Sequence, residues 1–274
     1  MAIEAPFPDL GELLELIGET GRRLSEIEAS EGAAGNISVY LGWTLDPRRI
    51  FPNVEEIPLP DPLPELAGAS FLVTGSGRRL REIIEDPGAN LGFVTVNPGG
   101  TSAKLYTSVR RLFQRVTSEF NSHLAVHRDQ IRISGTNFHA VVHAQPLHLT
   151  YLSHISRYRD EDFLNHHLLR WQPETIINLP EGLGVLPFYL PGSPELMAST
   201  VEKMRNHRVV VWSKHGVMAR SDNSVKRAGD RVEYAETGAR YEWLNLANGE
   251  IGEGLSDAEM HAICAAFNIQ QTIF

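Results

Sequence analysis

Four bulky apolar residues in a row, Val209-Val210-Val211-Trp212, constrain this chain more than any other stretch. Arg208 precedes the run, and Ser213-Lys214-His215-Gly216 follows it. A run this short and this rich in β-branched residues reads as a buried strand. Such a strand needs partners at its edges and cover on its faces, so the chain must build a sheet inside a layered protein. Hydrophobic residues make up 42% of the 274, which is enough to fill a large core.

Other segments carry their own periods. Leu10, Leu13, Leu14 and Ile17 recur at i, i+3, i+4 and i+7, and Leu24 and Ile27 continue that face. This predicts a helix over 9–28, with Asp9 as N-cap and Glu12 completing a capping box. Gly32, Gly35 and Asn36 break it, and a strand is expected over 36–41. Residues 45–69 are proline-rich with little period and read as an irregular excursion. Strands are expected over 71–74, 93–96, 104–106 and 139–145. Thr117 or Ser118 is placed to cap a helix over 119–129. Helices follow at about 146–156 and 161–171, then a strand over 176–179 and a helix over 194–207. After the 209–212 strand, Asp222 is placed to cap a long helix to about residue 248. Ser256 with Glu259 forms a second capping-box pattern. Strands and helices mix without strict alternation, and no repeat or linker interrupts them. The expectation is a single α/β domain over 1–274, built on a mainly antiparallel sheet flanked by helices.

Charge and cysteine content exclude whole classes. A net charge of −9 argues against a nucleic-acid partner. Cys264 is the one cysteine, so neither an intramolecular disulfide nor a cysteine zinc site can form. The stretch Met1-Ala2-Ile3-Glu4-Ala5-Pro6 lacks the basic and apolar regions of a signal peptide. No apolar run approaches the roughly 18 residues needed to span a membrane. A cytoplasmic protein without a membrane partner is therefore expected.

Three short motifs carry chemistry. Thr117-Ser118-Glu119 sets two hydroxyls and a carboxylate at an expected helix N-terminus, where unpaired N–H groups suit an anion. Glu119 could act there as a general base, or the tripeptide could be a plain cap. His143 and Gln145 share one face of the expected 139–145 strand, a spacing that chelates a metal when both members are ligands. His143 alone also suits a hydrogen-bonded core position. The 209–212 strand delivers His215-Gly216 at its end, as a ligand or as a structural histidine.

As an ordered set the motifs are far more specific. Gly35-Asn36 with its strand, Val73-Thr74-Gly75-Ser76-Gly77, Thr117-Ser118-Glu119, His143, and Trp212 to Val217 together resemble the class II aldolase/adducin-head family. Asp86 to Gly92, Glu174, Pro180 to Pro187 and Pro191-Gly192 resemble its ketose-1-phosphate-cleaving branch, and the likeness covers roughly 10–265. It implies a three-layer fold and a lyase that splits a ketose 1-phosphate, such as L-rhamnulose 1-phosphate, into dihydroxyacetone phosphate and an aldehyde. It implies zinc as a Lewis acid, carried over onto His143, Gln145 and His215. Glu119 would handle the C3 proton, and Glu174 would serve proton transfer from a neighbouring subunit of a homotetramer. Asn36, Ser76, Gly77, Thr117 and Ser118 would cradle the phosphate.

Two places depart from that pattern, residue 145 and the turn at 33–34. Gln145 stands where the family has a histidine, and an amide oxygen is a weaker zinc ligand than an imidazole. His148, three residues on, is a candidate substitute, whereas His139 lies about 20 Å along the strand. Ala33 replaces an asparagine in the turn before Asn36, and Ala34 replaces a glycine. A weakened metal site leaves three outcomes: an aldolase with a poorer third ligand, an enzyme for another substrate, or a non-catalytic binding module. An imine-forming aldolase would need a desolvated lysine. Of the four lysines, only Lys214 lies beside a site motif.

Overall fold

A computed structural model describes residues 2–249 and 251–274. Met1, which opens the N-terminal stretch read above, and Glu250 lie outside them. In chain order the elements are α1 (Leu10–Glu26), β1 (Asn36–Leu41), β2 (Asn53–Pro58), β3 (Ser70–Thr74), α2 (Pro87–Asn90), β4 (Leu91–Val96) and β5 (Ser102–Thr107). Then come α3 (Phe120–Ser134), β6 (Phe138–Ala144), α4 (Leu147–Leu152), α5 (Glu161–Leu169), α6 (Pro173–Asn178) and β7 (Gly184–Leu186). The chain closes with α7 (Pro194–Met204), β8 (Val209–Trp212), β9 (Gly216–Ser221), α8 (Val225–Ala247) and α9 (Asp257–Ala266).

The strands form one sheet in the order β2-β5-β4-β3-β1-β6-β9-β8-β7. Among the described residues only the β7–β8 pair is parallel, so the sheet is mainly antiparallel as expected. The 209–212 run shows why it must be apolar throughout. Val209 and Val211 join the core shared with α1, α4, α5 and α8. Val210 and Trp212 point the other way, into a cluster with α3 and α7. Side chains alternate across a strand, so both faces of β8 are covered and no position can be polar. The result is three layers, helix on sheet on helix. Each fully buried side chain of this size contributes about 1.5–3 kcal/mol.

Asp9 and Ser256 cap α1 and α9 with complete capping boxes, as their spacing predicts. Five expectations need correction. Residues 176–179 are not a strand: α6 ends at Asn178, started by Pro173 in its first turn, where a fixed φ favours a helix. The short apolar run Ile176-Ile177 fits either period. The 45–69 excursion contains β2, which is an exposed edge strand and so shows no apolar alternation. β9 was not foreseen at all. Asp222 does not cap α8, whose N-cap position is Ser224. Neither Thr117 nor Ser118 caps α3, because Glu119 occupies that position and its side chain makes no capping bond.

Candidate functional site

Backbone geometry brings three distant segments together at one end of β6. β1 and β6 pair so that Asn36 lies opposite His143. Gly35 enters β1 with φ +85°, and a Cβ there would sit 2.9 Å from the His143 carbonyl oxygen. Only glycine accepts both conditions without strain. β8 and β9 form a hairpin closed at Trp212 and Gly216, with Lys214 at φ +64° in its loop. Gly216 passes so near Ala144 that a Cβ would meet its carbonyl oxygen at 2.4 Å. This close approach sets the His215 ring 4.9 Å from the His143 ring.

Glu119 completes the group. Released from capping α3, its carboxylate reaches across to both imidazoles. Glu119 Oε2 is 3.5 Å from His143 Nε2, and Oε1 is 3.6 Å from His215 Nε2. Asn36 donates from Nδ2 to Glu119 Oε2 at 2.8 Å. The His143 ring lies with Nδ1 2.9 Å from the Val217 carbonyl oxygen. A carbonyl only accepts, so Nδ1 carries the proton and Nε2 turns a lone pair toward Glu119 and His215. Trp212 stacks against both rings, at 4.8 Å and 5.2 Å between centroids, and holds them at a fixed spacing.

Burial shapes the charges. It works to raise the Glu119 carboxyl, but the neighbouring His143, the Asn36 amide and His215 outweigh it and hold the group below the ordinary carboxylate value. Burial lowers His215 to about 4, aided by His143 and opposed by Glu119. At neutral pH the site therefore offers a carboxylate and a neutral imidazole, which are the protonation states that a metal requires.

The residues fit a divalent cation. One ligand atom each from Glu119, His143 and His215 lies within 4.8 Å of the others. Two imidazoles with an oxygen donor are a donor set that catalytic zinc sites use, and the Val217 carbonyl behind His143 is the outer support such ligands need. Asn36 Oδ1 and His215 Nδ1 are buried and make no hydrogen bond among the described residues.

The remaining expected residues fall into two groups. Ser76 and Gly77 lie beside Thr117 and Ser118, because Ser76 N donates to the Arg115 carbonyl and Thr117 N donates to that of Thr74. The two loops thus meet next to Asn36 and Glu119. Gln145 lies just past the end of β6, half-buried, and lines a cavity of about 680 Å³ with Arg81, Thr150, Tyr151 and His154, yet a Cβ at Gly216 would meet both Gln145 Cγ at 3.1 Å and His143 Cε1 at 3.2 Å. Glu174 is exposed on α6. His148 does not substitute for Gln145: its Nδ1 is 2.6 Å from Glu236 Oε1, and Glu236 also accepts from the backbone of 148 and 149. Lys214 is exposed and lacks the desolvation that imine chemistry needs. Sequence reasoning overlooked Trp212 as the platform beneath both histidines, and a buried row of His123, His127 and His139. The i, i+4 spacing of His123 and His127 was the available signal.

Comparison with known proteins adds sequence to geometry. The family described as "Class II Aldolase and Adducin N-terminal domain" matches residues 15–243. The rhamnulose-1-phosphate aldolase of Bacteroides thetaiotaomicron is 29% identical over 264 residues, covering 96% of each chain. The enzyme of that name from Enterococcus faecalis is 28% identical over 273 residues, covering 97% of this chain and 93% of its own. Among solved structures, a sugar-phosphate aldolase from Thermotoga maritima superposes with a TM-score of 0.72 at 30% identity, covering 89% of this chain and 99% of its own. An L-fuculose 1-phosphate aldolase shares the fold at 20% identity, with a TM-score of 0.58, covering 97% of this chain and 100% of its own.

Proposed function

Because the chain belongs to the class II aldolase and adducin N-terminal domain family, we propose that it is a metal-dependent lyase acting as one domain on a ketose 1-phosphate, L-rhamnulose 1-phosphate first among candidates. The products are dihydroxyacetone phosphate and an aldehyde. One observation carries this reading: Glu119, His143 and His215, from three distant segments, face one another at a strand end.

His143 and His215 would hold the metal, with Gln145 as a weaker third ligand in place of the Glu119 oxygen, which is kept for the proton; two imidazoles suit zinc. When bound, the metal supplies Lewis-acid polarisation of the substrate ketone. Glu119 carries the proton at C3 between substrate and product. Its carboxylate is kept ionised by its neighbours and aimed by Asn36, so it can accept a proton without first losing one. The adjoining loops with Ser76, Gly77, Thr117 and Ser118 bind the phosphate through hydroxyls and backbone N–H groups. Glu174, exposed on its own chain, serves the aldehyde side from a neighbouring copy in a homotetramer.

The test is retro-aldol cleavage of L-rhamnulose 1-phosphate with and without chelator, together with elemental analysis. Cleavage that chelator abolishes and a divalent ion restores supports the reading. A second reading, a non-catalytic binding module, draws on Gln145 in place of a histidine. Protein that stays metal-free under divalent-ion titration and leaves the substrate intact favours that second reading and overturns the first.

A further inference from the structure

A cleft of about 680 Å³ opens beside the site, and the fold accounts for its walls. One wall is a single face of α4 and the turn after it. Leu147, Thr150, Tyr151 and His154 line it at i, i+3, i+4 and i+7. The other face of α4 is held from behind. Leu149 and Leu152 are buried in the core, and Glu236 accepts from the backbone of 148 and 149. Ser153 Oγ accepts from Lys214 N at 2.7 Å, one residue from His215. The rest of the lining comes from the end of α1 and the turn that leads to Asn36, with Glu28, Glu31 and Gly32, and from Arg81. Gln145 joins these parts, because its N–H donates to the Ala29 carbonyl at 2.8 Å and α4 begins two residues later.

Size and lining mark the cleft as a binding site rather than a gap in the packing. Its volume lies within the roughly 300–1,000 Å³ of small-molecule sites. Leu147 and Tyr151 are 55% and 51% exposed on a helix that is otherwise pinned, so two large apolar side chains face the opening. Polar groups stand unused among them. Thr150 Oγ1 is buried and has no hydrogen-bond partner among the described residues. Arg78 and Arg79 both pair with Glu82, whereas Arg81 makes no ion pair among those residues. Glu28 and Glu31 set two carboxylates against that one guanidinium, so an anion gains nothing from the lining as a whole. Donors and acceptors beside apolar surface suit a neutral hydroxylated chain, with its hydroxyls on the polar groups and its C–H edges on Leu147 and Tyr151. Position ties the cleft to the site. The strands run in the order β3-β1-β6-β9. The loop with Ser76 and Gly77 follows β3, whereas His143 lies near the end of β6 and Gln145 just beyond it. A substrate with its phosphate on the β3 flank and its reacting carbons at His143 extends its far end toward Gln145.

We propose that this cleft is the subsite for the aldehyde half of the substrate, and that it takes a neutral polyhydroxylated chain of four or more carbons. The proposal rests on the reading of the chain as an aldolase and deepens it: ketose 1-phosphates of seven or more carbons are cleaved in preference to six-carbon ones. Cleavage breaks the C3–C4 bond. The C4 hydroxyl gives up its proton and C4 becomes the aldehyde carbonyl, while C3 keeps the electron pair and takes a proton. One proton is released and one is taken up, so the products balance the substrate without another reactant. Leu147 and Tyr151 hold the carbon chain of the departing aldehyde, and Thr150 and Arg81 hold its hydroxyls. These residues set specificity, and none of them touches the reacting carbons.

The test runs the reaction toward synthesis on the full chain, with dihydroxyacetone phosphate, a divalent ion and either lactaldehyde or a tetrose. Wild type should favour the tetrose in kcat/KM by at least about tenfold. Thr150→Val and Tyr151→Ala should each reduce that preference about tenfold. Equal use of the two aldehydes by wild type, or variants that slow both alike, overturns the proposal. A binding arm needs no catalysis. Threitol, followed by saturation-transfer NMR, should bind wild type and lose its signal in Tyr151→Ala, with a thermal melt showing that the variant is folded. Threitol that ignores wild type, or that binds both proteins equally, overturns the assignment. If wild type joins no aldehyde to dihydroxyacetone phosphate, the aldolase reading fails, and threitol still decides the cleft. A Tyr151→Arg variant that changes the oligomeric state in light scattering and keeps the aldehyde preference would assign the cleft to a second copy of this chain, and the proposal falls.

Discussion

The two ends of the α3–β6 interface hold the same residue types in opposite circumstances. At the upper end, His143, His215 and Glu119 converge with hydrogen-bonding atoms left over. At the lower end, Ser38 bonds His123 and His127, and His127 bonds His139, all wholly buried. The difference lies in what the backbone does nearby. Two glycines admit a hairpin and a strand entry against the upper end, and the N-cap carboxylate of α3 is freed toward it. The lower end has only packed helix and sheet. Histidine content alone therefore says little, and local closure decides whether an imidazole becomes a candidate ligand or a link in a buried chain.

The largest contrast should come from removing the carboxylate. Glu119→Gln keeps the shape and the Asn36 contact but removes the base, and kcat should fall about 10²–10⁴-fold. Retained kcat would show the upper end to be as structural as the lower.

Acid should expose the lower end. The folded pKa of His123 is depressed to about 3, so the unfolded chain binds a proton first, near its ordinary 6.5. Stability is thus fully present above about pH 6.5 and is lost as pH falls toward 3. At pH 4.5 this one group accounts for about 2–3 kcal/mol. Urea unfolding at pH 7 and pH 4.5 reads the loss. If His123→Gln is as acid-sensitive as wild type, His123 is not the cause.

Gly35→Ala strains a positive φ and pushes a Cβ to 2.9 Å from the His143 carbonyl oxygen. It should lower stability by about 1–3 kcal/mol and weaken metal binding with it. Gly32→Ala also meets a positive φ, but in open space, so it should cost stability and spare the metal. Equal effects on the metal from both variants would remove the argument from close approach. The smallest expected change is Gln145→His, which should tighten divalent-metal binding by about tenfold, or about 1.4 kcal/mol. Isothermal titration measures it, and unchanged affinity would place residue 145 with the cavity that it lines.

Much of this was legible in the chain before folding was considered. The two capping boxes, the β1 and β6 strands, the buried 209–212 run and the choice of 119, 143 and 215 as candidates all follow from local pattern or from an ordered motif set. Local pattern failed at α6, where two isoleucines suit either period, and at β2, where an exposed edge carries no apolar alternation. It failed too at Asp222, which looks like a cap and faces His139 instead. Spacing and side-chain chemistry are properties of neighbours in sequence, so the sequence by itself determined the strongly periodic helices, the buried strands and which residues have metal- or proton-handling groups. Only the tertiary structure decided that Asn36 aims Glu119, that Trp212 backs His143, and that Ser38 joins His123 to His127. Those contacts join residues 83, 69, 85 and 89 positions apart. Their distances come from strand pairing and helix packing, which no local period encodes.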